Sequence, residues 1–593
     1  EGAEPLEFVE KITLSDASWA KKLPEEFVKA ILDDLHLVLG ISYYKLFCPP
    51  EFILNTIALS QSQATFWNTM YTKGLGEFLY RNNISSKNVA HFAGSVENER
   101  TTSSLSVDGR SLLVGIGGGK DSIVTLELLK AYSRTGFVVE TGKTNTIVEE
   151  VALVAHVPLS RISRTLDPKL VAGVEGSYNG HVPISAVYAF LGILQAAREG
   201  HAYVVVSNEY SSNFGNLMHE GNEVNHQWSK SSEFELLFQT YVRQQLTPSI
   251  TYFSQLRPFY ELRIVKMFTE LGEEYFHLFS SCNRNFTHHH EHGDSRWCGE
   301  CPKCVFAFLM LSAFLSKEEV VGIFKKDLFE DRALLPLFKD ILGFGTMKPF
   351  DCVGTFEESR VALAMAQKRQ ESSFMVKELS PLLNGVAIST EVFRAQQALS
   401  VPSRFRFIGM ESVLILGYGR EGKTSETYIR QVSPHLRIGI ADKNDGLLYL
   451  KEQDNFDISI KTPVITKESV WRQYTTATQM FFAKVPKEKI IGVTGSKGKS
   501  TTSTLLYLML KASGKNVKLV GNIGVPALQE CSEENIQAVD YFIYELSSYQ
   551  LEDMDVSPHI AVVTSLFPEH IDHHGSLEAY YEAKRSIIAF QNE

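Results

Sequence analysis

The chain has 593 residues and carries 58 Lys and Arg against 69 Asp and Glu, a formal charge of −11. Hydrophobic residues make up 44%, aromatic residues 11% and charged residues 21%, which excludes disordered, collagen-like and coiled-coil chains and leaves a globular chain of several domains. The acidic balance gives no support to nucleic-acid binding as the main activity. No apolar run reaches the roughly 18 residues that cross a bilayer, so membrane insertion is not expected. The opening Glu-Gly-Ala-Glu lacks Met and the pattern of a signal peptide, so the expectation is a piece of a longer cytoplasmic chain. Of seven cysteines, four crowd into one short region; that is no disulfide framework and points to a reducing compartment with one metal site. The oligomeric state is not legible.

The fold class expected is α/β with several domains, divided at 1–105, 106–400, 401–488 and 489–593. Residues 1–105 show helical periodicity over 27–39 and no recognisable chemistry. From Ser111 an apolar strand runs into Gly117-Gly118-Gly119-Lys120-Asp121-Ser122 and then a helix expected over 123–132, with Ser122 as its cap. Three glycines let backbone N–H groups turn inward, a helix N-terminus suits a pyrophosphate, and Lys120 adds a point charge. This segment resembles the PP-loop ATP pyrophosphatases. The resemblance implies ATP cleavage between the α and β phosphates, with Gly117 to Ser122 binding the nucleotide.

Further along lie polar groups without a motif of their own: His181 before an apolar helix at 186–197, Glu209 just past the buried strand 203–206, His226 in a donor-rich run, and the pair Asp351-Cys352. Polar residues just past a strand end are where open α/β sheets place their sites. Between these runs lie Cys282 and Cys298-Gly-Glu-Cys301-Pro-Lys-Cys304. Four soft ligands at this spacing suit a tetrahedral structural zinc, with an iron–sulfur cluster as the alternative. The run His288 to His292 reads as a solvated loop. The set as a whole resembles the ATP-dependent epimerases of UDP-N-acetylmuramoyl-L-alanyl-L-glutamate, best over 111–354. Epimerisation requires proton transfer at a glutamate α-carbon, and the candidates are Glu209, His181, His226, Asp351 and Cys352. A PP-loop enzyme modifying a nucleobase or tRNA, with the cysteine cluster as its hallmark, is the alternative.

The second half opens with Gly417-Tyr-Gly419-Arg-Glu-Gly422 after a strand, and Asp442 ends the next strand. Alone this is the dinucleotide fingerprint, with NAD as the obvious ligand. The next segment argues otherwise. Ile490 to Val493 feeds Thr494-Gly495-Ser-Lys497-Gly498-Lys499-Ser500-Thr501, a phosphate loop in which Lys499 reaches the β and γ oxygens and Ser500 can hold Mg²⁺. Asn522, Glu545, Ser547, Ser548, His570 and Lys584 follow in an order that resembles the Mur ligases, nearest to the glutamate-adding type. The resemblance implies ATP at Thr494, Gly495, Gly498, Lys499, Ser500 and Thr501. It implies UDP-muramoyl substrate at Gly417, Gly419, Asp442, Asn522, Ser547 and Ser548. It also implies magnesium at Ser500, Glu545, His570 and a carbamylated Lys584, with Lys499 and Lys584 catalytic. Mur ligases continue past this lysine with more of the central sheet and a third domain, so the ligase part is expected to be incomplete. The whole is expected to epimerise the product of a ligase that adds L-glutamate to UDP-N-acetylmuramoyl-L-alanine.

Overall fold

The computed structural model describes residues 5–15, 19–96, 100–142, 145–286 and 296–591. The run His288 to His292 lies outside the described residues. Two compact units divide the chain, Glu1–Arg394 and Ala395–Glu593. No helix among the described residues is long and apolar enough to cross a membrane.

The first unit is built on a six-stranded sheet. Its strands are β1 (Lys11–Leu14), β2 (Asp108–Gly115), β3 (Ser133–Thr141), β4 (Leu159–Thr165), β5 (His201–Val206) and β8 (Thr251–Ser254), in the order β1-β4-β3-β2-β5-β8. Only β1 runs antiparallel. A small hairpin, β6 (Leu217–His219) and β7 (Asn222–Val224), stands outside it. Leu112, Leu113 and Val114 are fully buried, as expected of a parallel strand covered on both faces. The chain winds from β2 through β3 to β4 on one side and places β5 and β8 on the other. The order therefore reverses between β2 and β5, where open sheets form their ligand crevice.

Residues ahead of β2 belong to the same core. Helices α1 (Glu25–Tyr44), α2 (Gln61–Gly74) and α3 (Gly76–Arg81) pack with the helix Ile184–Glu199 and the helix Ser232–Tyr241. Trp67 of α2 is fully buried and stacks on Phe190, with ring centroids 5.4 Å apart. The helix Ile184–Glu199 is apolar on nearly all sides because most of it is covered, with Tyr188 left exposed, and Gly200 ends it in the left-handed conformation.

The helix after the glycine loop departs from the sequence expectation. Helix α4 runs Lys120–Leu128, not 123–132, and Ser122 is not its cap. Gly119, in extended conformation, takes the cap position, while the Ser122 hydroxyl donates to the Gly119 carbonyl at 2.9 Å. The early end follows from β3, which starts at Ser133 and leaves 129–132 to reverse the chain.

The second unit holds two four-stranded parallel sheets. The first orders β9 (Ser412–Leu416), β10 (Arg437–Ala441), β11 (Ile458–Lys461) and β12 (Gln473–Thr475) as β10-β9-β11-β12. The second orders β13 (Ile490–Thr494), β14 (Val517–Gly521), β15 (Tyr541–Glu545) and β16 (Ile560–Val563) as β14-β15-β13-β16. Both glycine loops of this half leave the carboxyl ends of β9 and β13, central strands in their sheets.

Truncating Trp67 to Ala removes the centre of the helical layer and is expected to cost about 3–5 kcal/mol. Urea unfolding of W67A followed by circular dichroism should show an early first transition.

Candidate active site

The glycine loop at the end of β2 is shaped by its neighbours. Gly118 has φ +79°, and a Cβ there would meet Ile147 at 2.7 Å. At Gly119 a Cβ would stand 2.8 Å from Ser281 Oγ. The loop is thus closed from one side by the segment that begins the cysteine cluster, and the Ser280 N–H donates to the Gly118 carbonyl at 3.1 Å. Lys120 does not point into open loop space. It is 4% exposed and its Nζ lies 2.7 Å from Asp121 and 2.6 Å from Glu261. Burial disfavours its charge, but Asp121 and Glu261 outweigh that and hold its pKa above the ordinary lysine value.

The four sulfurs of Cys282, Cys298, Cys301 and Cys304 converge, all within 4.8 Å of one another. Cys298 Sγ is 3.6 Å and Cys301 Sγ 3.5 Å from Cys304 Sγ. Asn283, next to Cys282, donates its amide to both oxygens of Asp351 at 2.8 Å. That fixes the residue before Cys352.

Around Cys352 the structure assembles a charged cluster from distant segments. Lys230 Nζ is 3.4 Å from Cys352 Sγ. The attraction of Cys352 holds the lysine above its ordinary pKa, and Glu209 and Asp121 act in the same direction. Lys230 is therefore in electrostatic reach of both the glycine loop and the thiol. The His226 ring hydrogen-bonds Cys352, and its Nδ1 is bonded to Glu77. His181 Nδ1 lies 3.7 Å from the same Glu77 oxygen, its ring centroid 4.4 Å from that of His226. Burial and the neighbouring His226 push His181 down to about 4, so it is neutral at pH 7. A separate cavity of about 450 Å³ is lined by Tyr80, His219, Asn225 and Trp228 and by none of the cluster's side chains.

Arg257 positions two members of this cluster. It is fully buried and pairs with Glu235, Nη2 to Oε2 at 2.7 Å and Nε to the same oxygen at 3.0 Å. It also donates to the carbonyls of Glu209, at 2.8 Å, and Lys230, at 2.5 Å.

In the second unit, Gly417 has φ +86° and packs against Thr462, and Gly419 caps the helix Arg420–Val432. The Asp442 carboxylate accepts the N–H groups of Tyr418 at 2.8 Å and Asn444 at 3.1 Å; these backbone donors lower its pKa. It therefore shapes this loop from within. Gly495 and Gly498 both take positive φ, and Gly498 caps the helix Lys499–Ala512, whose first turn exposes Ser500 and Thr501. Lys499 Nζ folds onto the carbonyls of Gly495 at 2.7 Å and Ser496 at 3.0 Å. Lys584 reaches the same loop, donating to Thr494 Oγ1 at 2.8 Å and the Gly495 carbonyl at 3.1 Å. Glu545 is 1% exposed; its Oε1 accepts from Asn522 at 3.1 Å and its Oε2 has no hydrogen-bond partner among the described residues. Ser547 caps the helix Ser548–Leu551, and the buried Ser548 hydroxyl has no hydrogen-bond partner among the described residues. His570 Nδ1 sits 3.1 Å from the Tyr549 hydroxyl.

Residues 2–255 match the MurL N-terminal domain, 278–390 the MurL C-terminal domain and 493–593 the Mur ligase middle domain. The UDP-N-acetyl-alpha-D-muramoyl-L-alanyl-L-glutamate epimerase of Xanthomonas oryzae pv. oryzae is 36% identical over 345 residues, 58% of this chain and 76% of that one. The chain belongs to this epimerase family. The epimerase of the same name from Salinispora tropica is 36% identical over 338 residues, 56% of this chain and 72% of its own. A UDP-N-acetylmuramoylalanine--D-glutamate ligase of Clostridium acetobutylicum is 41% identical over 155 residues, 25% of this chain and 33% of the ligase. The chain therefore joins an epimerase to a Mur ligase segment, and it spans about a third of that ligase.

Within the epimerase half, His226, Cys352 and Glu209 share one cluster, with His181 at its rim. Asp351 is turned away onto Asn283. Sequence reading missed Glu77, Lys230, Glu261 and Arg257. Glu77 lies on α3 in a stretch without motif, and only folding brings it to His226. In the ligase half, Thr494, Gly495, Lys499, Lys584, Glu545 and Asn522 gather at the ends of β13, β14 and β15.

Arg257→Ala leaves the buried Glu235 carboxylate without its cation, with the Ser254 N–H on Oε1 as its remaining donor, and removes one donor each from the Glu209 and Lys230 carbonyls. A loss of about 3–5 kcal/mol is expected, read by chemical denaturation, whereas a loss below about 1 kcal/mol would show that the pair carries little.

Proposed function

We propose that the first unit epimerises the terminal L-glutamate of UDP-N-acetylmuramoyl-L-alanyl-L-glutamate to D-glutamate, consuming ATP to AMP and pyrophosphate in the cytoplasm. The α-proton of a free glutamate is poorly acidic because the adjacent carboxylate is an anion. Adenylating that carboxylate removes the charge and makes the proton easier to abstract. Gly117, Gly118 and Gly119, with the N-terminus of α4 and Ser122, would hold the phosphates, and Asp121 would stay beside them through Lys120. The observation that carries this reading is Lys230, which feels Asp121 at the glycine loop and Glu209 and Cys352 at the proton-transfer cluster at once. An acyl group activated at the loop would thus lie against acid and base groups.

The test is direct. With this substrate, ATP and Mg²⁺, the full chain should form AMP, pyrophosphate and D-glutamate, and Asp121→Ala or Ser122→Ala should slow it about 10²-fold or more. Formation of ADP and phosphate by this unit, or D-glutamate without ATP, sinks the adenylation reading.

The cysteine cluster fits a structural Zn²⁺. Sulfur separations of 3.5–3.6 Å are close to the edge of a tetrahedron with metal–sulfur bonds of about 2.3 Å. Four thiolates leave no open position, so the ion would tie the Ser280 to Asn283 segment against the glycine loop and take no part in chemistry. Metal analysis should find about one zinc per chain, and Cys301→Ser should lower metal content and thermal stability together. Full zinc occupancy after removing Cys298 and Cys301 defeats the assignment.

For the second unit the reading is a segment of a ligase adding L-glutamate to UDP-N-acetylmuramoyl-L-alanine, which makes the epimerase substrate. A ligase on the same chain that added D-glutamate would leave the epimerase nothing to invert. Thr494, Gly495, Gly498, Lys499, Ser500 and Thr501 would hold ATP, and Asn522, Ser547, Ser548 and the Gly417-Gly419 loop the UDP-linked substrate. The unpartnered Glu545 Oε2 fits Mg²⁺, with Ser500 and His570 as further ligands; the ion would offset phosphate charge. Burial and the nearby Lys499 bring Lys584 down to about 8, so a useful share of its amine is neutral near pH 7.5 and able to add carbon dioxide. Labelled bicarbonate should give a carbamate signal that Lys584→Arg abolishes; an unchanged signal refutes that site.

A further inference from the structure

Cysteines in this chain fall into different environments. Cys531 is buried, and burial pushes its thiol up to about 12. Cys352 is half-buried among cations from separate segments: Lys230, Lys303 of the cysteine-cluster helix, and His226. Lys348 is a fourth within reach. The His226 ring links the thiol to Glu77, which is 5% exposed and braced by Arg81 Nε at 2.6 Å. A buried carboxylate, an imidazole and a thiol are thus connected in line, the arrangement that activates a sulfur for chemistry.

We propose that Cys352 exchanges the α-proton of the substrate glutamate, and that Glu77 acts through His226 as its positioning residue. This rests on the adenylating epimerase reading above. In the forward step the Cα–H bond breaks and an S–H bond forms, and the electron pair moves into the acyl carbonyl, whose oxygen gains negative charge beside Lys230. A proton delivered to the opposite face restores a tetrahedral carbon of D configuration. Water supplies that proton. Water also takes the Sγ proton afterwards, so protons balance over the cycle.

The thiolate–imidazolium pair defines a pH window. Burial opposes the Cys352 thiolate, but Lys230, Lys303 and His226 overcome it and bring the thiol to about 6. Burial likewise opposes a charged His226, but Cys352 and Glu77 hold it up at about 9. Below the lower limit the sulfur is protonated, and above the upper one His226 loses its charge. The groups facing the pair are Lys230, Lys303, Lys348, Glu77 and His181, with Asp351 turned onto Asn283. Removing the Glu77 carboxylate lowers the His226 pKa and so weakens one cation beside the thiolate. The acid limb must then move to higher pH.

The experiment uses the full chain with UDP-N-acetylmuramoyl-L-alanyl-L-glutamate, ATP and Mg²⁺ in deuterium oxide. Deuterium at the glutamate α-carbon reports proton exchange, and substrate-dependent pyrophosphate–ATP exchange reports adenylation. Cys352→Ala and Cys352→Ser should incorporate deuterium about 10²-fold slower or worse while pyrophosphate–ATP exchange continues. Glu77→Gln should slow incorporation and shift the acid limb of its pH profile upward. Undiminished incorporation in C352A, or an acyl group covalently attached to Cys352 in the wild type, overturns the base assignment. A slower E77Q with an unmoved profile overturns the positioning role. Loss of both exchanges in both cysteine variants would tie Cys352 to adenylation or folding, and the assignment fails there too. Absence of pyrophosphate–ATP exchange in the wild type is a different result: it sinks the adenylation reading.

Discussion

One buried guanidinium organises the epimerase half. An unpaired charge in the interior costs several kcal/mol, so Arg257 can be accommodated only if its donors are all answered. Five hydrogen bonds do this, to Glu235 twice, to Ser212 Oγ, and to the carbonyls of Glu209 and Lys230. Because a guanidinium is planar and rigid, it fixes those partners relative to one another. The loop after β5 and the short turn carrying Lys230 are thereby held at one place. What looks like a structural ion pair is the reason an acidic side chain and a lysine from separate segments share a site.

Sheet topology decides where that place is. The strand order reverses between β2 and β5, so the connections leaving their carboxyl ends diverge and open a crevice. The glycine loop leaves β2 and Glu209 follows β5, one on each side of the reversal. The cysteine-cluster segment closes the crevice from a third direction, with Ser280 on Gly118 and Asn283 on Asp351. A cluster remote from the reacting groups in sequence thus sets the position of both the loop and Cys352.

The two glycine loops treat their lysines differently. Lys120 is buried between two carboxylates, so its charge is neutralised inside the fold and the backbone N–H groups are left to face a ligand. Among the described residues Lys499 is bonded to carbonyls of its own loop, neutral partners that an anionic phosphate oxygen readily displaces. Similar glycine content therefore supports two modes of holding phosphate, set by what surrounds the cation.

Much of this was legible along the chain. Parallel-strand runs such as Leu112 to Val114, the positive-φ glycines and the cysteine spacing are local, because strand burial, backbone freedom and ligand bite depend on near neighbours in sequence. The Thr494 to Thr501 loop and the order of Asn522, Glu545 and Lys584 behind it were legible for the same reason. The start of α4 was misplaced because a glycine served as cap where a serine was expected, and a serine hydroxyl bonds backward as readily as forward. Glu77, Glu261 and Arg257 carried no signal, and Lys230 stood only as one member of the donor-rich run around His226. Their meaning comes from charge pairing across 149 residues between Glu77 and His226, and 141 between Lys120 and Glu261. Electrostatic partners are chosen by distance in space, and only the packed tertiary structure sets that distance.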